Sequence, residues 1–195
     1  MKYQLKIFVN LVIVICVVLL TFIFLPVAKQ EIAYQITKIA SNSKSSYPDL
    51  SPKDTQFGIV VPKIKANSKV IVNVDPGNKT EYMAALRTGV AHAKGTDFPG
   101  GKDNIYLFAH STDFDFNVFS FNAIFYLLHN LEAGDEVTLY YLGRRYNYYV
   151  YDKKIVYGSD VEYLTKKYGE SVLTLQTCWP PGTTLQRLLV FAKPK

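Results

Sequence analysis

Three residues of this chain have types and positions that could support nucleophilic chemistry: Cys178, His110 and Arg187. A thiolate is the reactive form of cysteine and needs a base or a cationic neighbour. The other cysteine, Cys16, lies in an apolar N-terminal run. A chain exported by that run would carry one unpaired thiol, which points to intermolecular pairing or a reactive group. A lone cysteine is also often a small buried hydrophobe, and the cysteine count alone favours that reading. The bases on offer are His92, His110 and His129. His129 falls on an amphipathic run and is expected at the surface. His110 closes an apolar strand, where barrel active sites tend to place their residues. Attack on a carbonyl creates an oxyanion, and Arg187, nine residues after Cys178, brings fixed charge and several N–H donors. Spacing alone leaves a rival reading open: Arg187 in a strand-surface salt bridge and His110 as a hydrogen-bonded core histidine.

The elements that must position these residues are mostly short strands. Phe57-Gly58-Ile59-Val60-Val61 and Val70-Ile71-Val72-Asn73-Val74 are β-branched runs. Asp75-Pro76-Gly77-Asn78 reads as a turn, with Thr80 as the cap of a short helix ending at Leu86. Residues 95–103 form a Gly/Pro-rich loop before the strand 104–109. Apolar residues at Val118, Phe121, Ile124, Phe125, Leu128 and Leu131 step like an amphipathic helix over 117–131. Residues 136–142 and 145–151 make a hairpin around Gly143-Arg144. Residues 159–168 form a loop with one helical turn, and 171–177 and 185–192 are the last strands. Few helices and no strand–helix alternation predict a closed or nearly closed antiparallel barrel. Such a barrel can gather the ends that carry His110, Cys178 and Arg187.

Residues 7–28 carry no charge and match the ~20 residues of a membrane-crossing helix. Lys2 and Lys6 precede them, which keeps the N-terminus cytoplasmic and exports the rest. The run is longer than a signal-peptide core and lacks an A-x-A site, so an uncleaved anchor is expected. The resulting division is a cytoplasmic tip and transmembrane anchor over 1–29, a linker over 30–56 and a catalytic domain over 57–195. The net charge of +6 is scattered rather than clustered, so no nucleic-acid partner is expected. No cofactor or metal is expected either. Asp113, Asp115 and Asn117 open like a calcium loop, but Val118 stands where Gly is required and Ile124 where Glu is required.

The ending Thr174-Leu175-Gln176-Thr177-Cys178 followed by Arg187-Leu188-Leu189-Val190 resembles the signature of sortases, bacterial cell-surface cysteine transpeptidases. Gly89-Val90-Ala91-His92, Pro99-Gly100 and Asn104-Ile105-Tyr106-Leu107-Phe108-Ala109-His110 are similar to the stretch that ends in the sortase catalytic histidine. The resemblance covers nearly all of the chain after the linker. It implies a mainly β, closed eight-stranded barrel with short helices, and a catalytic triad of His110, Cys178 and Arg187. Ala109 and Thr177 would line the substrate groove. Trp179 would stack on substrate or pack over the barrel end. His92 would be structural or supporting, Gln176 fills a variable place, and 159–168 would shape the groove. Ala109 departs from the glycine common in the family. The chain shows no C-terminal apolar segment of the kind many pilus-building sortases have.

The activity implied is cleavage of an L-P-x-T-G-like sorting signal on secreted proteins through a Cys178 thioester. The acyl group would pass to an amine, such as a peptidoglycan precursor or a pilin lysine. The protein would be a single-pass component of the cell membrane with its catalytic domain outside. Two alternatives remain: a cysteine endopeptidase that resolves the thioester with water, and a catalytically silent, membrane-anchored binding domain.

Overall fold

The computed structural model describes residues 2–41, 50–111 and 123–195. Helix α1 (Lys2–Ser41) takes in the charge-free run and continues beyond it. Its described apolar side chains, such as Leu11 and Leu19, are exposed. Side chains in it are described without a break only over 6–21, and among the described residues no helix is long and apolar enough to cross a membrane.

The remaining strands and α-helices are β1 (Phe57–Val61), β2 (Ala66–Val74), α2 (Lys79–Leu86), β3 (Val90–Ala93), β4 (Asn104–Phe108), β5 (Glu136–Tyr141), β6 (Arg144–Tyr157), α3 (Glu162–Thr165), β7 (Val172–Trp179) and β8 (Gln186–Pro194). The strands close into a barrel in the order β1-β2-β3-β4-β7-β8-β6-β5. Closure satisfies every strand edge, and the core fills with alternate residues. Leu173 and Leu175 of β7 and Val190 and Ala192 of β8 are fully buried.

The barrel is mixed rather than antiparallel. β2 and β3 run parallel, as do β4 and β7. Parallel neighbours need a crossover, and α2 supplies the one between β2 and β3. Period-2 patterning reveals which face of a strand is buried but carries no information on the direction of its neighbour.

Local details differ too. Asn78, not Thr80, caps α2: its side chain accepts the Glu81 N–H at 3.2 Å. Of the helix expected over 117–131, residues 117–122 lie outside the described residues. The rest gives only a 3-10 helix, Tyr126–Asn130. Asp113, Asp115 and Asn117 also lie outside the described residues. The β5–β6 hairpin forms, but it turns on Leu142-Gly143, both at positive φ, 49° and 76°, rather than on Gly143-Arg144, and β6 runs on to Tyr157. That pair of left-handed residues matches the twist of a tight hairpin.

Within the expected linker, 30–41 are helical and 42–49 lie outside the described residues. Residues 51–56 are bonded to the barrel. The Lys53 N–H donates to Asn67 Oδ1 at 2.9 Å, and Leu142 N–H donates to Gln56 O at 3.0 Å. The segment packs so closely that a Cβ on Gly58 would overlap the Asp54 carbonyl.

His92 is a core residue. The register of β2 against β3 shifts between Ile71 and Val74, where Asn73 takes φ 54°. This bulge frees the Asn73 N–H, which donates to His92 Nδ1 at 3.3 Å. The acceptor role at Nδ1 leaves Nε2 protonated, and it donates to Asp97 O at 2.9 Å. Burial lowers the His92 pKa and keeps the ring neutral.

Candidate active site

The parallel pairing of β4 with β7 sets the site. Its register runs from Asn104 opposite Val172 to Phe108 opposite Gln176. Two hydrogen bonds extend it past the end of β4. Ala109 N–H donates to Gln176 O at 3.1 Å, and Thr177 Oγ1 donates to Ala109 O at 3.0 Å. The next residues on the two strands are His110 and Cys178. On the other side of β7, Cys178 stands directly opposite Arg187 of β8. Three neighbouring strands, β4, β7 and β8, thus deliver His110, Cys178 and Arg187 to one end of the barrel. All three are half-buried.

Side-chain alternation separates the residues that face the core from those that face the site. Leu173, Leu175 and Thr177 point to the core and are buried. Thr174, Gln176 and Cys178 take the opposite face, together with their β8 partners Phe191, Leu189 and Arg187. Ala109 and Thr177, expected in the groove, are buried and bonded to each other. Their part in this geometry is to hold the two chain ends together. Trp179, one residue beyond Cys178, takes the other face. It is half-buried against the core, its ring 5.5 Å from that of His129. His129 is therefore not a plain surface residue; its Nδ1 lies 3.1 Å from the Tyr126 carbonyl.

The segment 158–171, which contains α3, covers the far part of the Cys178 face. Asn104 Nδ2 donates to Tyr163 O at 2.9 Å, and Thr174 Oγ1 donates to Asn104 Oδ1 at 2.8 Å. Asp103 Oδ1 accepts the Tyr168 N–H at 2.9 Å, and Lys167 pairs with Oδ2 at 3.2 Å. Tyr163 packs on Phe191, ring centroids 5.8 Å apart. At the near end, Gly158 comes close to Arg187: a Cβ there would sit 3.5 Å from the guanidinium. Sequence reasoning missed Asn104, Asp103 and Gly158. Asp and Asn ahead of an apolar strand, and Gly at the end of a long one, were the signals for them.

Burial pushes the Cys178 thiol above its ordinary pKa, and the Arg187 charge works in the other direction without reversing it. The resting group is a thiol that needs a base. Arg187 Nη1 donates to Thr184 O at 3.0 Å and to Gln186 O at 2.9 Å. These carbonyls fix the guanidinium plane, while Nε and Nη2 bond no described residue. A fixed fork with donors to spare suits a developing oxyanion. Among the described residues no cluster of three or more His, Cys, Asp or Glu side chains is placed to hold a metal ion.

A family profile described as Sortase domain matches residues 59–195, the greater part of the chain. Sortase D of Bacillus subtilis (strain 168) is 25% identical over 162 residues, which cover 80% of this chain and 73% of that protein. The crystal structure of sortase C1 from Streptococcus agalactiae superposes with a TM-score of 0.60 at 25% identity, covering 75% of this chain and 70% of that one. Listeria monocytogenes sortase A shares the fold, with a TM-score of 0.58 at 22% identity over 73% of this chain and 88% of that one. With the profile spanning every strand of the barrel but the first residues of β1, the chain belongs to the sortase family.

Proposed function

We infer the activity from the family, since sortases are in general cysteine transpeptidases of cell-wall sorting. We propose that this chain is a membrane-anchored member that cleaves an L-P-x-T-G-like signal through a thioester on Cys178 and transfers the acyl group to an amine. The observation that carries this reading is the convergence of the β4, β7 and β8 ends, with Cys178 directly opposite Arg187 and His110 on the next strand.

In the proposed reaction, Cys178 Sγ attacks the carbonyl of the scissile peptide bond. Its proton passes to His110. Arg187 donates N–H bonds to the oxyanion. The carbon–nitrogen bond breaks, His110 gives the proton to the leaving amine, and a thioester remains. His110 then takes a proton from the incoming amine, whose nitrogen replaces sulfur at the carbonyl, and returns that proton to the departing Cys178 thiolate. Trp179 contributes by fixing the strand end after the nucleophile. Substrates are secreted proteins with a C-terminal sorting signal, and the acceptor is a peptidoglycan precursor or a pilin lysine. Anchorage rests on the charge-free residues 7–28, their lysine flank and the exposed apolar side chains of α1.

The test is incubation of the full chain in detergent with sorting peptides, with and without candidate amines, and with products read by mass. An acyl-enzyme on Cys178 that yields an amide with the added amine is the expected result. Release of free acid alone, whatever amine is added, would make the protein an endopeptidase. No adduct with any peptide would leave a binding domain.

A further inference from the structure

Four tyrosine rings on one side of the barrel each carry a lysine ammonium. On the face of β6 and β8, Lys195 Nζ lies 5.7 Å from the centre of the Tyr149 ring, and Lys193 Nζ 5.4 Å from that of Tyr151. The other two rings belong to the segment 158–171, the wall over the far part of the Cys178 face. There Lys154 Nζ of β6 lies 5.3 Å from the Tyr163 ring, and Lys166 Nζ 5.0 Å from the Tyr168 ring. Phe191 joins the two halves into one strip, its ring centre 6.2 Å from Tyr151 and 5.8 Å from Tyr163.

Strand register sets the extent of the strip. Tyr149 stands opposite Lys193, and Lys154 opposite Leu189. Four residues of β8 separate these rows, ~13 Å at the rise of a strand. Leu189 in turn stands opposite Gln176, on the face of β7 that carries Cys178. The strip therefore runs from the end of β8 to the side of the nucleophile's own strand.

These ammoniums have no carboxylate. Lys63, Arg145 and Lys167 each pair with one. Among the described residues Lys154, Lys166, Lys193 and Lys195 pair with none, although all four are exposed. Asp152, Glu162 and Glu170 border the strip without forming an ion pair with them. An exposed lysine loses rotamer freedom when it binds a ligand. Here the negative face of a ring already holds each ammonium, which keeps N–H groups for a ligand. The charges are set in place beforehand, and such preorganisation raises affinity.

A row of fixed positive charges fits a row of negative ones. A narrow strip that crosses from β6 over β8 toward β7 follows a flexible chain along its length, whereas a flat bilayer meets a barrel over only part of its girth. Single-stranded nucleic acid binds by stacking bases on open rings. These rings have ammoniums over them, and Tyr151 and Tyr163 also lean on Phe191, so repeats without aromatic groups fit better.

We propose that this Tyr–Lys strip binds a linear polyol phosphate, a phosphodiester polymer with hydroxyl-bearing, non-aromatic repeats, and holds the barrel on it beside the active site. Phosphates meet the ammoniums, and hydroxyls of the repeat meet the phenols of Tyr149 and Tyr151. The surface contains none of the reacting groups, so it stands whether or not the transpeptidase reading does.

The test is calorimetric binding of synthetic poly(glycerol phosphate) to the full chain in detergent, over a range of salt. A variant with Lys154→Gln, Lys166→Gln, Lys193→Gln and Lys195→Gln should bind at least ~10-fold more weakly, with a slope of log K against log salt shallower by ~0.7 per ammonium removed. A matched variant with Lys53→Gln, Lys79→Gln, Lys94→Gln and Lys102→Gln removes the same charge from exposed lysines elsewhere and should lose about twofold or less. Tyr149→Leu with Tyr151→Leu keeps every charge and removes two supports, and should weaken binding about 3–10-fold with the salt slope unchanged. Equal losses in the two lysine variants would reduce the effect to net charge and overturn the proposal, as would no binding by the wild type. Wild-type affinity in the tyrosine variant would remove the rings from the site and overturn it too. Displacement of the polymer by phosphatidylglycerol in mixed micelles, at equal phosphate, would assign the strip to a membrane surface instead. Tighter binding of oligothymidylate would assign it to nucleic acid.

Discussion

At the residue scale, the protonation of Cys178 decides how the site works. Burial holds the thiol above its ordinary pKa of 9.0 and Arg187 only offsets this. In a Cys16→Ser background, alkylation by iodoacetamide should rise with pH to a midpoint above that of an unperturbed cysteine thiol. A midpoint near neutrality would contradict the desolvated thiol. Arg187→Ala removes the opposing charge and should move the midpoint higher, while Arg187→Lys should move it less. Acylation by a sorting peptide should nevertheless fall in both variants, by ~10²–10³ for loss of an oxyanion donor. A lysine has charge but no planar fork, so wild-type acylation in Arg187→Lys would reduce the role of Arg187 to charge alone. Cys178, His110 and Arg187 were legible in sequence because they stand in one recognisable pattern. Gln176 was visible beside them, but its hydrogen bond from Tyr106 of β4 was not. His92 carried the same chemical label as His110, and only its place against a bulge N–H separates the two.

Among the elements, the segment 158–171 depends most on a few side chains. Asn104 spends its amide on Tyr163 O and its carbonyl on Thr174, both buried. Asp103 holds the Tyr168 N–H, and that bond, with Lys167 beside it, keeps its carboxyl below the usual range. Asn104→Leu would remove the amide partner of the Tyr163 carbonyl and of the Thr174 hydroxyl, and an unpaired buried carbonyl costs about 1–3 kcal/mol. We expect a lower Tm and a raised KM for sorting peptides, with iodoacetamide reactivity little changed. An unchanged KM would mean that this wall does not bear on substrate. The hairpin of β5 and β6 was legible because Gly143 marks its turn, and strand faces were legible from alternation. The parallel joins of β2 to β3 and β4 to β7 were not. The Asn104 to Thr174 contact spans seventy residues, and nothing local in either strand announces the other.

For the whole molecule, the anchor reading makes a claim on topology. Protease added to intact cells should digest the barrel and leave a membrane-bound fragment that begins at Met1. A mature protein lacking residues 1–6 would refute an uncleaved anchor. The order of the strands in the barrel carries a further consequence, this time in time rather than space. β8, the last strand made, sits between β7 and β6 and brings Arg187 to Cys178. His110 precedes Cys178 by 178 − 110 = 68 residues. At ~5–20 residues per second, the histidine waits about 3–14 s for its partner strand to be synthesised. Until β7 and β8 zip into the gap, the nascent chain has neither a completed nucleophile pocket nor a closed sheet. The topology acts as a delay: on the proposed reading, the barrel end that holds Cys178 stays incomplete until β8 joins β7 and β6.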